Sequence, residues 1–287
     1  MRNERNRLIQ VIDLCFSYPT PEGQPSQALA GLSLTIHEGE SVGLMGANSS
    51  GKTTLARCLN ALLVPEQGQV LVDGLDSRDP ANHLAIRQKV GMVFQNPDNQ
   101  IVSATVEREI AFGLENLGIP YEEMDQRVEQ AMEQFGLVRY RHHPPHLLSG
   151  GEKQRLALAA VMAMYPKYLI LDEPTSLLDP QGRETVIALI QRLHQKHEGA
   201  ADQRVTTLLI SQYPEELLFV DRLLVMHKGR IVMDGAPAEV FRQADRLHEL
   251  GLEAPVEFEL EELFGRYGLE WHPCAVKEVA RSSYEQW

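Results

Sequence analysis

The chain changes hydrophobic period twice, and the changes divide it. In the first stretch LIQVIDLCFSY (8–18) is rich in apolar and β-branched residues and LSLTI (32–36) alternates, so both predict strands. HEGE (37–40) is a turn into SVGLMG (41–46), a strand that runs straight into a glycine loop. TLARCLNALL (54–63) has helical spacing, ended by Pro65 and Gly68 ahead of a hairpin-like GQVLVDG (68–74). From about Ala104 to His146 the period becomes helical: Val106, Ile110, Leu114 and Leu117 fall on one face, YEEMDQRVEQAMEQFGL (121–137) continues in the same manner, and Pro144 with Pro145 stops the run. Beyond Tyr165, strand and helix alternate again. YLIL (168–171) is a short apolar strand, Asp179 and Pro180 open the helix QGRETVIALIQRLHQKH (181–197), VTTLLIS (205–211) is the next strand, and RLLVMHKGRIVMDG (222–235) is a closing hairpin. This order predicts α/β architecture around a parallel sheet. A helical insert spans about 97–160, and an acidic segment with mixed helical signals follows residue 243.

Composition narrows what such a chain does. With 287 residues and 43% hydrophobic content it can bury a proper core. The net charge of -13 opposes loose binding to nucleic acid or to anionic lipid, so a docked protein partner is easier to accept. Cys15, Cys58 and Cys274 are odd in number and widely spaced, which fits neither a disulfide framework nor a zinc site and points to a reducing cytoplasm. The N-terminal MRNERNRLIQ has no apolar core behind its charges, so no secretory signal is expected. The longest apolar run, LALAAVMAMY (156–165), falls short of the ~20 residues that span a bilayer.

Candidate chemistry begins at Gly46-Ala47-Asn48-Ser49-Ser50-Gly51-Lys52-Thr53, a complete phosphate-loop pattern flanked by the required strand and helix. Backbone amides wrap a β-phosphate, Lys52 reaches the β and γ oxygens, and the Thr53 hydroxyl, with Thr54 beside it, faces Mg²⁺. Asp172 and Glu173 end a buried strand where sheet ligands bind; one carboxylate can orient the metal shell while the other polarises an attacking water. Taken alone, such a pair also serves merely to cap a strand before Pro174. Gln95 ends VGMVFQ (90–95) and its carboxamide can reach Mg²⁺ or the lytic water, although an isolated strand-terminal Gln is usually a solvated loop residue. Tyr18 can stack on adenine or simply pack. Ser149-Gly150-Gly151-Glu152, in HLLSGGEKQR (146–155), opens a helix with free amides at the positive end of its dipole, a second place for an anion.

Taken together, the phosphate loop, Gln95 in VFQNPDNQ, LSGGEKQR, YLILDEPTS and SLLDP resemble, in this order, the ATP-binding cassette ATPases as far as about residue 240. VFQNPDNQIVSATVEREIAFGLENLGIP and HLLSGGEKQRLALAAVMAM further resemble the ATPase subunits of energy-coupling factor transporters, importers of vitamins and transition-metal ions, and 247–270 resembles more weakly the tail through which those subunits pair. The resemblance implies a P-loop NTPase cassette over 1–243, with a parallel-sheet core, an antiparallel β subdomain and a helical insert carrying the signature motif, followed by a C-terminal appendage over 244–287. It implies ATP and Mg²⁺ as cofactors, with Thr53, Gln95 and Asp172 toward the metal, Glu173, Gln95 and Gln212 around the reacting water, and Tyr18, Gly46, Asn48, Ser50, Gly51, Lys52, Thr53 and Thr54 on the chain's own nucleotide. Ser149, Gly150, Gly151, Glu152 and Asp179 would complete the nucleotide site of a head-to-tail partner. The implied partners are a second ATPase subunit, a transmembrane energy-coupling subunit and a substrate-binding membrane subunit at the cytoplasmic face of the membrane, docked through Pro97, Asp98, Asn99 and Gln100. A cassette acting on nucleic acid would call for a coiled-coil insertion, a fused second cassette or a basic surface, and none is present.

Two departures from the family pattern stand out. Gln212, in LLISQYPEEL (208–217), occupies the place of a His that contacts the γ-phosphate, and a carboxamide cannot carry charge or shuttle a proton near neutral pH. This favours pairing with a different ATPase subunit over a homodimer, and it leaves as an alternative a slow or non-hydrolysing, ATP-responsive subunit of an asymmetric pair. Ser49 stands where many cassettes have Gly, a substitution that is tolerated provided its φ is negative.

Overall fold

The computed structural model describes residues 8–21, 23–194 and 204–266. Among them the strands are β1 (Leu8–Tyr18), β2 (Ser26–His37), β3 (Ser41–Met45), β4 (Gln67–Val72), β5 (Leu75–Asp76), β6 (Val90–Val93), β7 (Tyr168–Asp172), β8 (Thr206–Ile210), β9 (Arg222–His227) and β10 (Arg230–Gly235). The helices are α1 (Lys52–Leu59), α2 (His83–Lys89), α3 (Val106–Asn116), α4 (Tyr121–Gln134), α5 (Gly150–Ala163), α6 (Pro180–His194), α7 (Pro237–Phe241), α8 (Ala244–Glu249) and α9 (Val256–Arg266). Cys274 and the last residues of the helix expected to reach His197 lie outside the described residues.

Six strands form a central sheet in the order β10-β9-β3-β8-β7-β6, parallel throughout except for the hairpin strand β10. Every residue of β3, β6, β7 and β8 is buried, because helices or a second sheet cover both faces; that is why these segments read as unbroken apolar runs rather than alternating ones. Alternate side chains still separate by face. Tyr168 and Ile170 join one core with Val42, Leu44, Leu208 and Ile210, whereas Leu169 and Leu171 join the other with Met45, Val93, Leu209 and Val225.

The first of these cores is closed by a four-stranded antiparallel sheet, β2-β1-β4-β5, together with α1. Here the alternation is overt: Ile9 and Val11 of β1 are buried beside Val70 and Val72 of β4. The second core is closed by α3, α5 and α6, and α3, α4 and α5 pack on one another as a small bundle. Burial of Ile110 and Leu114 on α3 and Val128 and Met132 on α4 contributes about 1.5–3 kcal/mol per side chain. Gly91 is required where α5 crosses the sheet, since a Cβ there would stand 2.5 Å from Val161 Cγ1.

One sequence expectation changes here. The helix expected over 54–63 ends at Leu59: Asn60 turns its amide side chain onto the Val90 carbonyl, Ala61 takes φ 53, and the amides of Leu62 and Leu63 fold back onto the Arg57 carbonyl. Beyond residue 243, Ala244, Leu247, Leu252 and Ala254 enter the second core.

Candidate functional site

Buried β3 delivers the chain to Gly46, and α1 starts at Lys52 with Gly51 as its N-cap. Gly51 has φ +107, and a Cβ there would overlap the Ala28 carbonyl oxygen and stand 2.8 Å from Met226 Cε. Glycine alone fits that backbone. The condition for tolerating Ser49, a negative φ, is not met: its φ is 63, a conformation that glycine takes without strain and serine at a cost. Lys52 is buried, and its Nζ donates to the carbonyls of Gly46 (2.7 Å) and Ala47 (3.1 Å) and lies 3.8 Å from Glu173 Oε1. Burial pulls the ammonium below its usual pKa, opposed by the charges of Glu173 and Asp172. Ser50 Oγ is buried with no hydrogen-bond partner among the described residues, as fits a loop completed by an anion.

Asp172 closes β7, and its Oδ1 accepts the Thr53 hydroxyl at 3.2 Å. Burial raises the Asp172 pKa, and the Thr53 hydrogen bond works the other way. A hydroxyl and a carboxylate side by side beneath a phosphate loop suit Mg²⁺, which takes few protein ligands and relies on phosphates and water for the rest. Among the described residues no group of three or more His, Cys, Asp or Glu side chains is placed to hold a metal ion.

Glu173 leaves the strand at φ 48, with its amide still bonded to the Ile210 carbonyl, so its carboxylate diverges from that of Asp172. Two carboxamides grip it. Gln95 Nε2 donates to Oε2 at 3.0 Å and to Ser176 Oγ at 3.2 Å; Gln212 Nε2 donates to Oε1 at 2.9 Å and to Asn48 Oδ1 at 3.1 Å. Tyr18 lines the same cleft of about 420 Å³, edge-on to Phe16 and with its hydroxyl 3.3 Å from Thr54 Oγ1. Tyr18, Asn48, Ser50, Gly51, Lys52, Thr53, Thr54, Gln95, Glu173 and Gln212 therefore converge on one place. Ser26, Gln27 and Ala28 complete the wall, and no sequence pattern marks them.

Ser149, Gly150, Gly151, Glu152 and Asp179 line a different cleft of about 500 Å³, which shares no residue with the first. Ser149 N-caps α5, and a full capping box forms: its hydroxyl accepts the Glu152 amide while the Glu152 carboxylate takes the Ser149 amide. Glu152, on the wall of this cleft, faces back into the cap and also accepts the Tyr140 hydroxyl; that bond and those from Ser149 bring its pKa down to about 2. The Ser149-x-x-Glu152 spacing is itself the signal for this role. The amides of Gly150 and Gly151 remain as first-turn donors that the cap does not use. Asp179 Oδ1 accepts the Gly182 amide and so caps α6 beside them.

A phosphate loop, a strand-end acid pair and a separate glycine-capped helix on a parallel sheet define a nucleotide-hydrolysing cassette. The family model described as ABC transporter matches residues 29–176, and the chain belongs to that family of ATPases. Its sequence groups with the ATP-binding subunits of energy-coupling factor transporters. It is 44% identical to the energy-coupling factor transporter ATP-binding protein EcfA1 of Caldanaerobacter subterraneus subsp. tengcongensis, over 92% of this chain and 93% of that protein. To EcfA1 of Symbiobacterium thermophilum it is 51% identical over 79% and 77% respectively. To the cobalt import ATP-binding protein CbiO of Syntrophus aciditrophicus it is 47% identical over 86% and 85%. Among solved structures, cbiO1 from Clostridium perfringens, part of the ABC transporter complex cbiONQ, superposes with a TM-score of 0.73 at 32% identity, covering 90% of this chain and 100% of that one. A dimeric ATP-binding cassette in a post-hydrolysis state with ADP and Pi gives 0.71 at 26% identity over 80% and 98%. Among the described residues no helix is long and apolar enough to cross a membrane.

Proposed function

We propose that this chain binds ATP with Mg²⁺ in the cleft around Lys52 and pairs head to tail with a second, different cassette. In that pair the Gly150–Gly151 amides and Asp179 close on the partner's nucleotide, and the cycle powers import of vitamins or transition-metal ions through membrane subunits at the cytoplasmic face. The observation that carries this reading is the separation of the two clefts on one chain, each holding half of what a bound triphosphate requires.

Within its own cleft, Lys52 supplies charge to the terminal phosphates, and Thr53 with Asp172 would hold the metal. Bound Mg²⁺ supplies positive charge against the negative charge that grows on the phosphate oxygens. Glu173, aimed by Gln95 and Gln212, accepts a proton from water. No observation favours a cassette that binds ATP without hydrolysing it, because the acid, its two donors and the lysine are all assembled. An ATP held by both chains favours the closed pair by its differential affinity, and hydrolysis removes the bridge.

Gln212 sets the rate of this site. Its amide orients Glu173 but carries no charge toward phosphate, so Gln212→His should raise kcat of the purified chain tenfold or more, read as steady-state Mg-ATPase. Equal rates would return the homodimer as the simpler pairing.

Docking on membrane subunits is assigned to the turn at 97–100. Asp98 is exposed and pairs with Lys153 of α5 at 2.7 Å, so a load on this turn reaches the signature helix directly. Asp98→Lys should abolish co-purification with the membrane subunits while ATP affinity stays within about twofold. A parallel loss of ATP binding would overturn the assignment.

A further inference from the structure

Buried under both clefts lies a carboxylate that the reaction does not use. Glu216 is 5% exposed; its Oε2 accepts the Ser211 hydroxyl at 2.6 Å and the Thr175 hydroxyl at 2.8 Å. Its Oε1 lies 3.7 Å from Arg183 Nε, and neither of those two buried atoms has a hydrogen-bond partner among the described residues. Arg183 in turn stacks its guanidinium on Tyr213, 3.6 Å from the ring centroid.

Each of these neighbours belongs to a segment with a task. Ser211 immediately precedes Gln212. Thr175 sits in the turn that begins at Glu173 and continues through Leu178, whose amide bonds to the Thr175 carbonyl, to Asp179 in the other cleft. Arg183 lies in the first turn of α6, next to Gly182, whose amide Asp179 holds. A buried acid hydrogen-bonded to two segments and ion-paired to a third is expensive to place and ties down their relative position. Its burial also pushes the Glu216 pKa up, against the two hydroxyl bonds.

We infer that Glu216 is a positioning residue for hydrolysis, fixing Gln212 and Glu173 in one cleft in a set geometry to the Asp179 turn of the other, and so linking the two nucleotides of a cassette pair through one side chain. The link between nucleotides rests on the head-to-tail pairing proposed above; the fixing of the two loops does not. Glu216→Gln keeps the shape and one acceptor oxygen but turns an amide toward Arg183, so the loops loosen without opening a cavity.

The test uses the full chain. Steady-state ATPase of Glu216→Gln should show kcat down about 10- to 100-fold with KM for ATP and the melting temperature nearly unchanged. Thr175→Val should shift kcat in the same direction, and Thr175→Ser, which restores the hydroxyl, should recover it. Amide hydrogen exchange of Glu216→Gln should rise together in 211–214 and 175–182, a readout that needs no turnover. Wild-type kcat in Glu216→Gln and Thr175→Val, exchange that rises in only one segment, or a fall in kcat matched by a lower melting temperature would each overturn the inference. A chain that never dimerises with ATP yet shows the paired exchange would overturn the head-to-tail reading and leave Glu216 in its role.

Discussion

Glu173→Gln should bind ATP as the wild type does and hydrolyse it about 10²–10⁴-fold more slowly, the range expected for losing a positioned general base. The substitution is nearly isosteric, so nothing in the phosphate loop need move, and Lys52 keeps its bonds to the Gly46 and Ala47 carbonyls. Proton acceptance is lost, and with it the symmetry of the grip on this side chain. Gln95 and Gln212 each donate to one carboxylate oxygen, and a carboxamide offers one acceptor and one donor, so one of those contacts becomes donor against donor. If ATP closes the pair, the variant should accumulate as an ATP-dependent dimer on gel filtration, since the step that reopens it is blocked. A kcat within threefold of wild type would show that another group takes the proton.

Gly51→Ala should damage the site by a different route. The backbone at φ +107 disfavours any side chain, and the new methyl would meet the Ala28 carbonyl of β2 and Met226 of β9, both fixed in sheets. Strain of about 1–3 kcal/mol is expected, a fall in melting temperature of several degrees, and at least a tenfold loss of ATP affinity as the start of α1 is pushed off the strand. Gly118→Ala makes the control: it too has positive φ, at +69, but a Cβ there meets nothing within 4 Å, so it should cost stability alone. Unchanged ATP affinity in Gly51→Ala would mean the loop repacks around the methyl.

Much of this architecture is legible in the sequence because the physics is local. The strands of the central sheet are buried on both faces, so β3, β7 and β8 appear as apolar runs punctuated by glycine loops and acid pairs. The phosphate loop is legible because its amide cradle constrains every position. What escaped is set by distant parts of the chain. The early end of α1 depends on Asn60 reaching the Val90 carbonyl, and the left-handed backbone at Ser49 depends on how the loop closes. Neither leaves a periodicity to read. Glu152 is a different case, since its capping box is written in the Ser-x-x-Glu spacing itself. Glu216 carries no signal at all: one of two adjacent glutamates in PEEL, it differs from Glu215 only in what the fold brings against it.

The contact at Gly91 gives α5, moving with the α3 and α4 packed along it, the mechanics of a lever. Val161 is pinned against the sheet there, and Gly150 stands eleven residues away along an unbroken helix, an arm of roughly 16 Å. A tilt of about 5° at the pin swings the free amides through roughly 1.4 Å, enough to make or break a hydrogen bond to a phosphate. Asp98, attached to the arm through Lys153 near its free end, is where a small push has the greatest mechanical advantage.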